Sequence, residues 1–501
     1  MQITASKKEK NMNTLLSNLE NATNFKFTEN DAVAHSTSRS ALVDLFALGG
    51  AYRNRTNDDI IFLFKKAFEE DKVLAMKTLF WLRDIRGGAG ERRFFRVCFN
   101  WLAKNYPESA KKNIANVAEY GRYDDLIYST VDTQLWADTM IFIKHQLALD
   151  VECKTPSLLG KWLPSCNASS KETKRVANII RNDLGMTHKE YRKTLSVLRS
   201  RINIVEKLMS ENRWSEIEFD KIPSKAGLIY RNAFARRDII AKKYEAFAMN
   251  KDTKVNAGAL YPYEIIEKTL AQTSRYSGFT GTEVDRAMLE KYWENQIDVL
   301  EGAPCKMICV CDTSGSMMGR PMNMAIGLSM YCAERIGGPF KDHYISFSSR
   351  PQLIHVDGVD FADKVHRIYK TNLCEDTNLE ATFKLLKEAT RNAKPEDRLD
   401  TVVVISDMEI NHMSCERWNE ERAVTGMEMI RKEWEAEGLK MPKLIYWNVD
   451  ARQDTFLDLG PNVSFVSGSS PVIFKQVATG KTGWDLMIQT VCADRYEAVV
   501  A

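Results

Sequence analysis

KMICVCDTSGSMMG, residues 306–319, is a strand-like apolar run that ends abruptly in an aspartate and two serines spaced two apart. The run alone would make a buried strand. The polar cluster after it needs a reason. Open α/β sheets bind ligands at the carboxyl ends of their strands, so a strand over ICVC delivers Asp312, Ser314 and Ser316 to that end. One carboxylate and two hydroxyls are hard oxygen donors, which suit Mg²⁺ or Mn²⁺ and not zinc. A second apolar run, TVVVIS, leads into Asp407, and the loop CEDTNLEATF offers Thr377 just before a helix. Three strand-end loops thus supply five oxygen ligands: Asp312, Ser314, Ser316, Thr377 and Asp407.

Around this stretch, DHYISFS and KLIYWNV are further β-rich runs. They alternate with the helical patterns PMNMAIGLSMYCAERI, NLEATFKLLKEATRN and ERWNEERAVTGMEMIRKEWEAEG. That alternation predicts a doubly wound α/β domain over 305–501, a parallel sheet with helices on both faces. Upstream the pattern changes. DIIFLFKKAFEED, KVLAMKTLFWLRDI and RRFFRVCFNWLAKNY carry apolar residues three and four apart. Residues 36–250 read as many amphipathic helices joined by short loops, an α-solenoid of stacked pairs. Residues 251–304 read as a connector, crossing irregularly at NAGALYPYEII and ending in a helix over DRAMLEKYWENQIDVL. Residues 1–35 are polar, lack periodicity and read as a mobile arm. The fold class is therefore α plus α/β.

Net charge is only +3 over 501 residues, but it is uneven. Residues 151–250 hold 20 Lys+Arg against 11 Asp+Glu, a local +9. Such a block points to a polyanion partner or, in the bland reading, to solvated helix faces. In MTHKEYRKTLSVLRSRI, Thr187 and Glu190 form a capping box. Tyr191, Leu195, Leu198 and Ile202 share one helical face, with Lys189, Arg192, Lys193 and Arg199 beside it. A preceding helix, from Ser170 to Gly185, carries Lys171, Lys174, Arg175 and Arg181.

No apolar run approaches the roughly 18 residues that span a membrane. The ten cysteines show no zinc spacing, and the simple inference from them is a reducing cytoplasm, the host's if the chain is virus-encoded. No Walker A loop, lipase-type elbow or histidine triad pattern is present, so the expectation is a non-enzyme.

The order Asp-x-Ser-x-Ser, distant Thr, distant Asp resembles the von Willebrand factor A domain and its metal-ion-dependent adhesion site. That resemblance implies a bound Mg²⁺ with one open position, completed by an acidic protein ligand. In that family the threonine commonly follows glycine, whereas Glu375 and Asp376 precede it here. The helical half is similar to an uncharacterised family of viruses and plants, through LFWLRDIRGGAGERRFFR, IANVAEYGRYDDLI, KWLPSCNASSKETK, EYRKTLSVLRSRINIVEKLMS, WSEIEFDKIPS and NAGALYPYEII. The whole architecture is similar to the TROVE proteins, the Ro autoantigen group, in which a ring of HEAT-like helical repeats is closed by the A domain. This implies a non-enzymatic protein that binds small non-coding, structured or misfolded RNA in the cytoplasm. It also implies contacts between residues 40–100 and the A domain. The implied RNA contacts are Arg86, Arg92, Arg93, Arg122, Lys161, Lys171, Lys174, Arg175, Lys189, Arg192, Lys193 and Arg199. Trp162 and Tyr191 are either stacking platforms or, in the reading favoured by their type, core. The alternative function is a metal-dependent protein-interaction scaffold without RNA.

Overall fold

The computed structural model describes residues 23–202, 204–303, 306–371, 376–414, 417–419 and 422–501. The arm's residues 1–22 and Glu375 lie outside the described residues. Phe25–Phe27 (β1) and Val33–His35 (β2) pair as an antiparallel hairpin, so the end of the polar segment has a fixed place. Helices follow: α1 (Ala41–Leu48), α2 (Asn57–Glu70), α3 (Lys72–Arg83), α4 (Arg92–Asn105), α5 (Ile114–Tyr120), α6 (Tyr123–Thr130), α7 (Trp136–Glu152), the single turn α8 (Leu159–Trp162), α9 (Lys171–Asp183) and α10 (His188–Arg201). Local chemistry sets their ends. Thr56 caps α2 and Thr187 caps α10, each in a reciprocal box with the residue three further on, Asp59 and Glu190. Gly185, at φ +69°, lets the chain leave α9 in a left-handed conformation. Further helices span Ser224–Arg236 and Asp238–Met249. The expected connector contains two more, Pro262–Leu270 and Glu283–Glu294.

The C-terminal part is a six-stranded mixed sheet: β3 (Met307–Asp312), β4 (His343–Phe347), β5 (Gln352–His355), β6 (Thr401–Ser406), β7 (Lys443–Asn448) and β8 (Val463–Ser467). Its order is β8-β7-β6-β3-β4-β5. Five strands are parallel, and the edge strand β5 runs antiparallel to β4. The expected all-parallel sheet is corrected at that edge, where a four-residue, largely exposed strand returns directly from β4. Every residue of β3 and β6 is buried, because both faces are covered. The two-residue period divides them. Cys309, Cys311, Val403 and Ile405 face a core continuous with the helices, and Ile308, Val310, Val402 and Val404 face a second core under Phe383, Ile430 and Trp434.

One expected helix is shorter than its pattern. Within ERWNEERAVTGMEMIRKEWEAEG, Arg417–Asn419 and Arg422–Val424 pair as short antiparallel strands, and the helix spans only Gly426–Ala436. The Thr425 hydroxyl accepts from the Glu428 N–H at 3.2 Å and fixes the start there.

The first helices meet the sheet. α1 packs on β8, and the Gly50 N–H donates to Ser467 Oγ at 2.9 Å. A Cβ at Gly50 would lie 2.5 Å from the Ser467 carbonyl oxygen, so only glycine permits the approach. Arg495, near the C-terminus, pairs with Asp84. The last helices meet the same part of the molecule, Pro262–Leu270 packing on the helix Arg320–Arg335. The turn before α4 also meets the start of the Pro262–Leu270 helix: the Tyr261 hydroxyl lies 3.4 Å from the Ala89 carbonyl it donates to. By contrast, α7 to α10 close around their own core of Met140, Ile143, Leu147, Val176, Ile180, Tyr191, Leu195 and Leu198. They form a lobe with a separate apolar centre.

Candidate metal centre

Strand order reverses between β3 and β6, since the chain leaves β3 for β4 and β5 on one side and returns to β6 on the other. A crevice opens at the carboxyl ends of such a pair. There β3 ends in Asp312 and β6 is followed by Asp407. Asp312 is completely buried. Its Oδ1 accepts from the Ser314 N–H at 2.9 Å and its Oδ2 from the Ser406 hydroxyl at 2.5 Å. The Ser314 and Ser316 hydroxyls are 2.9 Å apart, and the Ser316 hydroxyl sits close enough to Asp407 to favour its charged form. The structure therefore brings Asp312, Ser314, Ser316 and Asp407 together.

Thr377 is buried nearby, but its hydroxyl bonds Asn411 Oδ1 at 2.8 Å and lies 3.4 Å from the Glu409 carbonyl. Among the described contacts it joins the 409–411 loop rather than Asp312 or the serines. Asp376, the acidic neighbour noted in the sequence, is held away by Ser349, whose N–H donates to it at 2.6 Å and whose hydroxyl bonds its other oxygen.

Electrostatics mark the spot. Burial, then the Asp407 charge, pushes the Asp312 carboxyl well above the usual aspartate range. Burial likewise raises Asp407. Sequence reasoning missed a third carboxylate, Glu409, which burial pushes up to about 7. Between Asp407 and Glu409, Met408 sits at φ +66°, a conformation L-residues other than asparagine and aspartate rarely adopt. Such strain persists where the surroundings over-determine it, commonly at functional sites. Asp407 Oδ2 and Glu409 Oε1 are buried without a hydrogen bond among the described residues. The Arg452 guanidinium lies 3.5 Å from Asp407 and also bonds the Ser316 carbonyl. Nothing in the sequence pattern could have placed Arg452 or Glu409 here, because neither belongs to the Asp-x-Ser-x-Ser spacing.

The donor set fits a hard divalent cation: paired buried carboxylates, adjoining hydroxyls, and two carboxylate oxygens lacking a hydrogen bond. No group of three or more His, Cys, Asp and Glu side chains arranged for a metal occurs among the described residues. This set differs in kind, mixing carboxylates with serine hydroxyls. Asp312, Ser314, Ser316 and Asp407 are the residues that would hold the ion.

The N-terminal hairpin lies over the loop that follows β6. Thr28 Oγ1 donates to the Ile410 carbonyl at 2.7 Å, the Glu29 N–H to Glu409 Oε2 at 2.6 Å, and Asn30 Nδ2 to the Glu409 carbonyl at 2.7 Å. The Glu29 carboxylate pairs with Arg452 at 2.8 Å. Asn30→Ala is expected to cost about 1 kcal/mol in urea unfolding and to speed proteolytic cleavage within residues 25–35. An unchanged cleavage rate would mean that the strap is held elsewhere.

The predicted RNA-contact residues divide. Arg86, Arg92, Lys171, Lys174, Lys189, Arg192 and Lys193 are exposed. Arg93 instead donates to the Arg53 and Arg55 carbonyls and to Asn57. Arg199 donates to the Gly160 and Leu163 carbonyls and to Ser165. Arg175 is tied to Asp132 and Glu172. These three are structural, because a chain turn or a neighbouring acid already uses their donors. Arg122 and Lys161 converge on the Trp162 ring. Tyr191 is core, its hydroxyl donating to the Pro164 carbonyl at 2.9 Å.

A family described as domain of unknown function DUF2828 matches residues 28–147 and 167–305, more than half of the chain. The chain belongs to the DUF2828 family. In this DUF2828 protein a second domain of unknown function, DUF7788, matches residues 306–485, which include all the candidate metal ligands. The chain is also similar to the uncharacterized protein L728 of Acanthamoeba polyphaga mimivirus, at 28% identity over 493 residues, covering 88% of this chain and 81% of that protein. These similarities fit an uncharacterised family with a viral member. Among the described residues no helix is long and apolar enough to cross a membrane.

Proposed function

We propose that this DUF2828 protein is a non-enzymatic RNA-binding protein. In this reading it has a TROVE-like build: a HEAT-like helical solenoid followed by a von Willebrand A-like domain with a Mg²⁺ site at the sheet's switch point. One observation carries the RNA reading. The lobe of α7 to α10, which has its own core, displays Lys171, Lys174, Lys189, Arg192 and Lys193, exposed and without an ion-pair partner among the described residues. Cations held for folding are paired, as Arg175 is. Cations left unpaired on one lobe raise the local potential and favour a polyanion. The bound ion would supply a positive charge that recruits an acidic group, while Asp312, Ser314, Ser316 and Asp407 orient it.

Reversing Lys189, Arg192 and Lys193 to glutamate together is expected to lower affinity for unrelated RNA sequences alike. It should also flatten the dependence of log affinity on log salt by about 0.7 for each lost single-strand phosphate contact. Affinity and slope that stay put would reduce the strip to solvated surface. The scaffold reading draws on Met318, 68% exposed two residues after Ser316. An exposed side chain of that kind beside a metal centre suits a protein ligand. Purified protein whose ratio of absorbance at 260 to 280 nm matches protein alone favours the scaffold.

A further inference from the structure

Where the lobe joins the body, α4, α6 and α8 gather more positive charge than the fold neutralises. Two buried carboxylates, Asp124 and Asp125, lie at the start of α6. Three guanidinium groups already share them. Arg83 grips Asp125 Oδ2 through Nε at 2.8 Å and a terminal nitrogen at 2.6 Å. Arg96 reaches Asp125 Oδ1 at 2.6 Å and lies 2.8 Å from Asp124. Arg122 forms a two-pronged pair with Asp124, its Nε at 2.8 Å from Oδ1. Against these stands Arg92, exposed and with no hydrogen bond or ion pair among the described residues. Partial desolvation and the charges of Arg122 and Arg96 all disfavour its protonated form. Lys161 adds a further cation, 5.4 Å from the Trp162 ring centroid.

The geometry is also rigid. Arg122 stacks on Trp162 with its guanidinium carbon 3.7 Å from the ring centroid, and Arg96 lies 5.2 Å from the Tyr128 ring. A guanidinium fixed by an acid at one edge and an aromatic face beneath it loses little freedom when it binds a further oxyanion. We propose that Arg92, Arg122 and Lys161 form a binding site for a phosphate group, supplied by an RNA backbone or by a free nucleotide. Phosphate fits better than carboxylate, since it brings more charge and more acceptor oxygens to a site with several surplus cations. The RNA source rests on the function proposed above; the site itself rests on the charge imbalance.

Arg92→Gln is the informative variant, because it removes a cation that supports no other residue. Its melting temperature should equal or exceed that of the parent, as like-charge repulsion is relieved. Binding of a mixed-sequence single-stranded RNA, followed by anisotropy from 50 to 300 mM salt, should weaken several-fold and its log–log slope should fall by about 0.7. Arg92→Lys should restore most of the slope. Calorimetry with inorganic pyrophosphate gives the second arm. If the parent binds pyrophosphate but not RNA and Arg92→Gln abolishes that binding, the site stands with a free nucleotide as its source and the RNA reading falls. If RNA binding responds to the Lys189, Arg192 and Lys193 reversals but neither arm responds to Arg92→Gln, the RNA reading stands and this site is overturned. Absence of both bindings in the parent overturns both.

Discussion

In metal-free buffer the chain is expected to lose about 3 kcal/mol of stability to the Asp312–Asp407 pair as pH rises from about 4 to 7, and Mg²⁺ is expected to restore it. Asp312 has no exposure to solvent, and its carboxyl is pushed up to about 6 from an ordinary 3.8. Burial is the larger cause and the charge of Asp407 the second. A proton held more tightly in the folded state favours folding below the unfolded pKa. That contribution disappears as pH climbs through the folded one. Two pKa steps at about 1.4 kcal/mol each give the magnitude. Glu409, pushed up to about 7 by burial, adds in the same direction and extends the window upward. A divalent cation between the carboxylates removes the penalty, so stabilisation by Mg²⁺ should be small at pH 5 and large at pH 7.5. Asp312→Asn keeps the shape and removes the charge. In EDTA at pH 7.5 it should unfold at higher urea than the parent, with the gap closing toward pH 4. With Mg²⁺ the order reverses, because the variant lacks the charged ligand. Calorimetry that finds undiminished Mg²⁺ binding in Asp312→Asn would remove the metal centre from the account.

The parts of this site that were legible in the sequence are those that local pattern controls. β3 and β6 are six-residue apolar runs, fully buried on both faces, and each ends at or just before an aspartate. Such runs announce a central parallel strand without reference to the rest of the chain. The box at Thr187 is likewise a four-residue signal. What was hidden depends on partners far away in sequence. Glu29 meets Glu409 across 380 residues, and Arg452 reaches Ser316 across 136. No periodicity records those meetings. The hairpin was hidden for a related reason. FKF and VAH are too short to show alternation, and their place is set by hydrogen bonds to the 409–412 and 456 backbones. Charge in the basic block was legible as a sum but not as a surface. Arg199 and Lys193 read alike in a helical projection, yet one is tied to three chain groups of α8 and its flank and the other is exposed.

The largest loss of stability from one substitution is expected at Asp125, in the helical half of the molecule. Asp125→Ala should lower the unfolding free energy by about 3–5 kcal/mol. The carboxylate has no solvent exposure, and four donors converge on it: two from Arg83, one from Arg96 and the Arg122 N–H at 3.1 Å. Arg83 is itself only 3% exposed, so the substitution leaves a guanidinium buried and unpaired. The cost is mainly that stranded charge, not the lost attraction. Arg83→Met in the same chain should therefore recover part of the loss, since it removes the stranded charge while filling similar space, whereas two independent contacts would simply add. The substitution at Asp125 also deletes one of the two negative charges beneath Arg92 and Arg122. Pyrophosphate affinity measured on the folded fraction should rise as stability falls. Urea titration of the single and double variants, with calorimetry on the same samples, separates the two effects. A loss below about 1 kcal/mol for Asp125→Ala, within the range of exposed ion pairs, would mean that water reaches the Arg83 guanidinium and that the charge surplus around Arg92 is solvated.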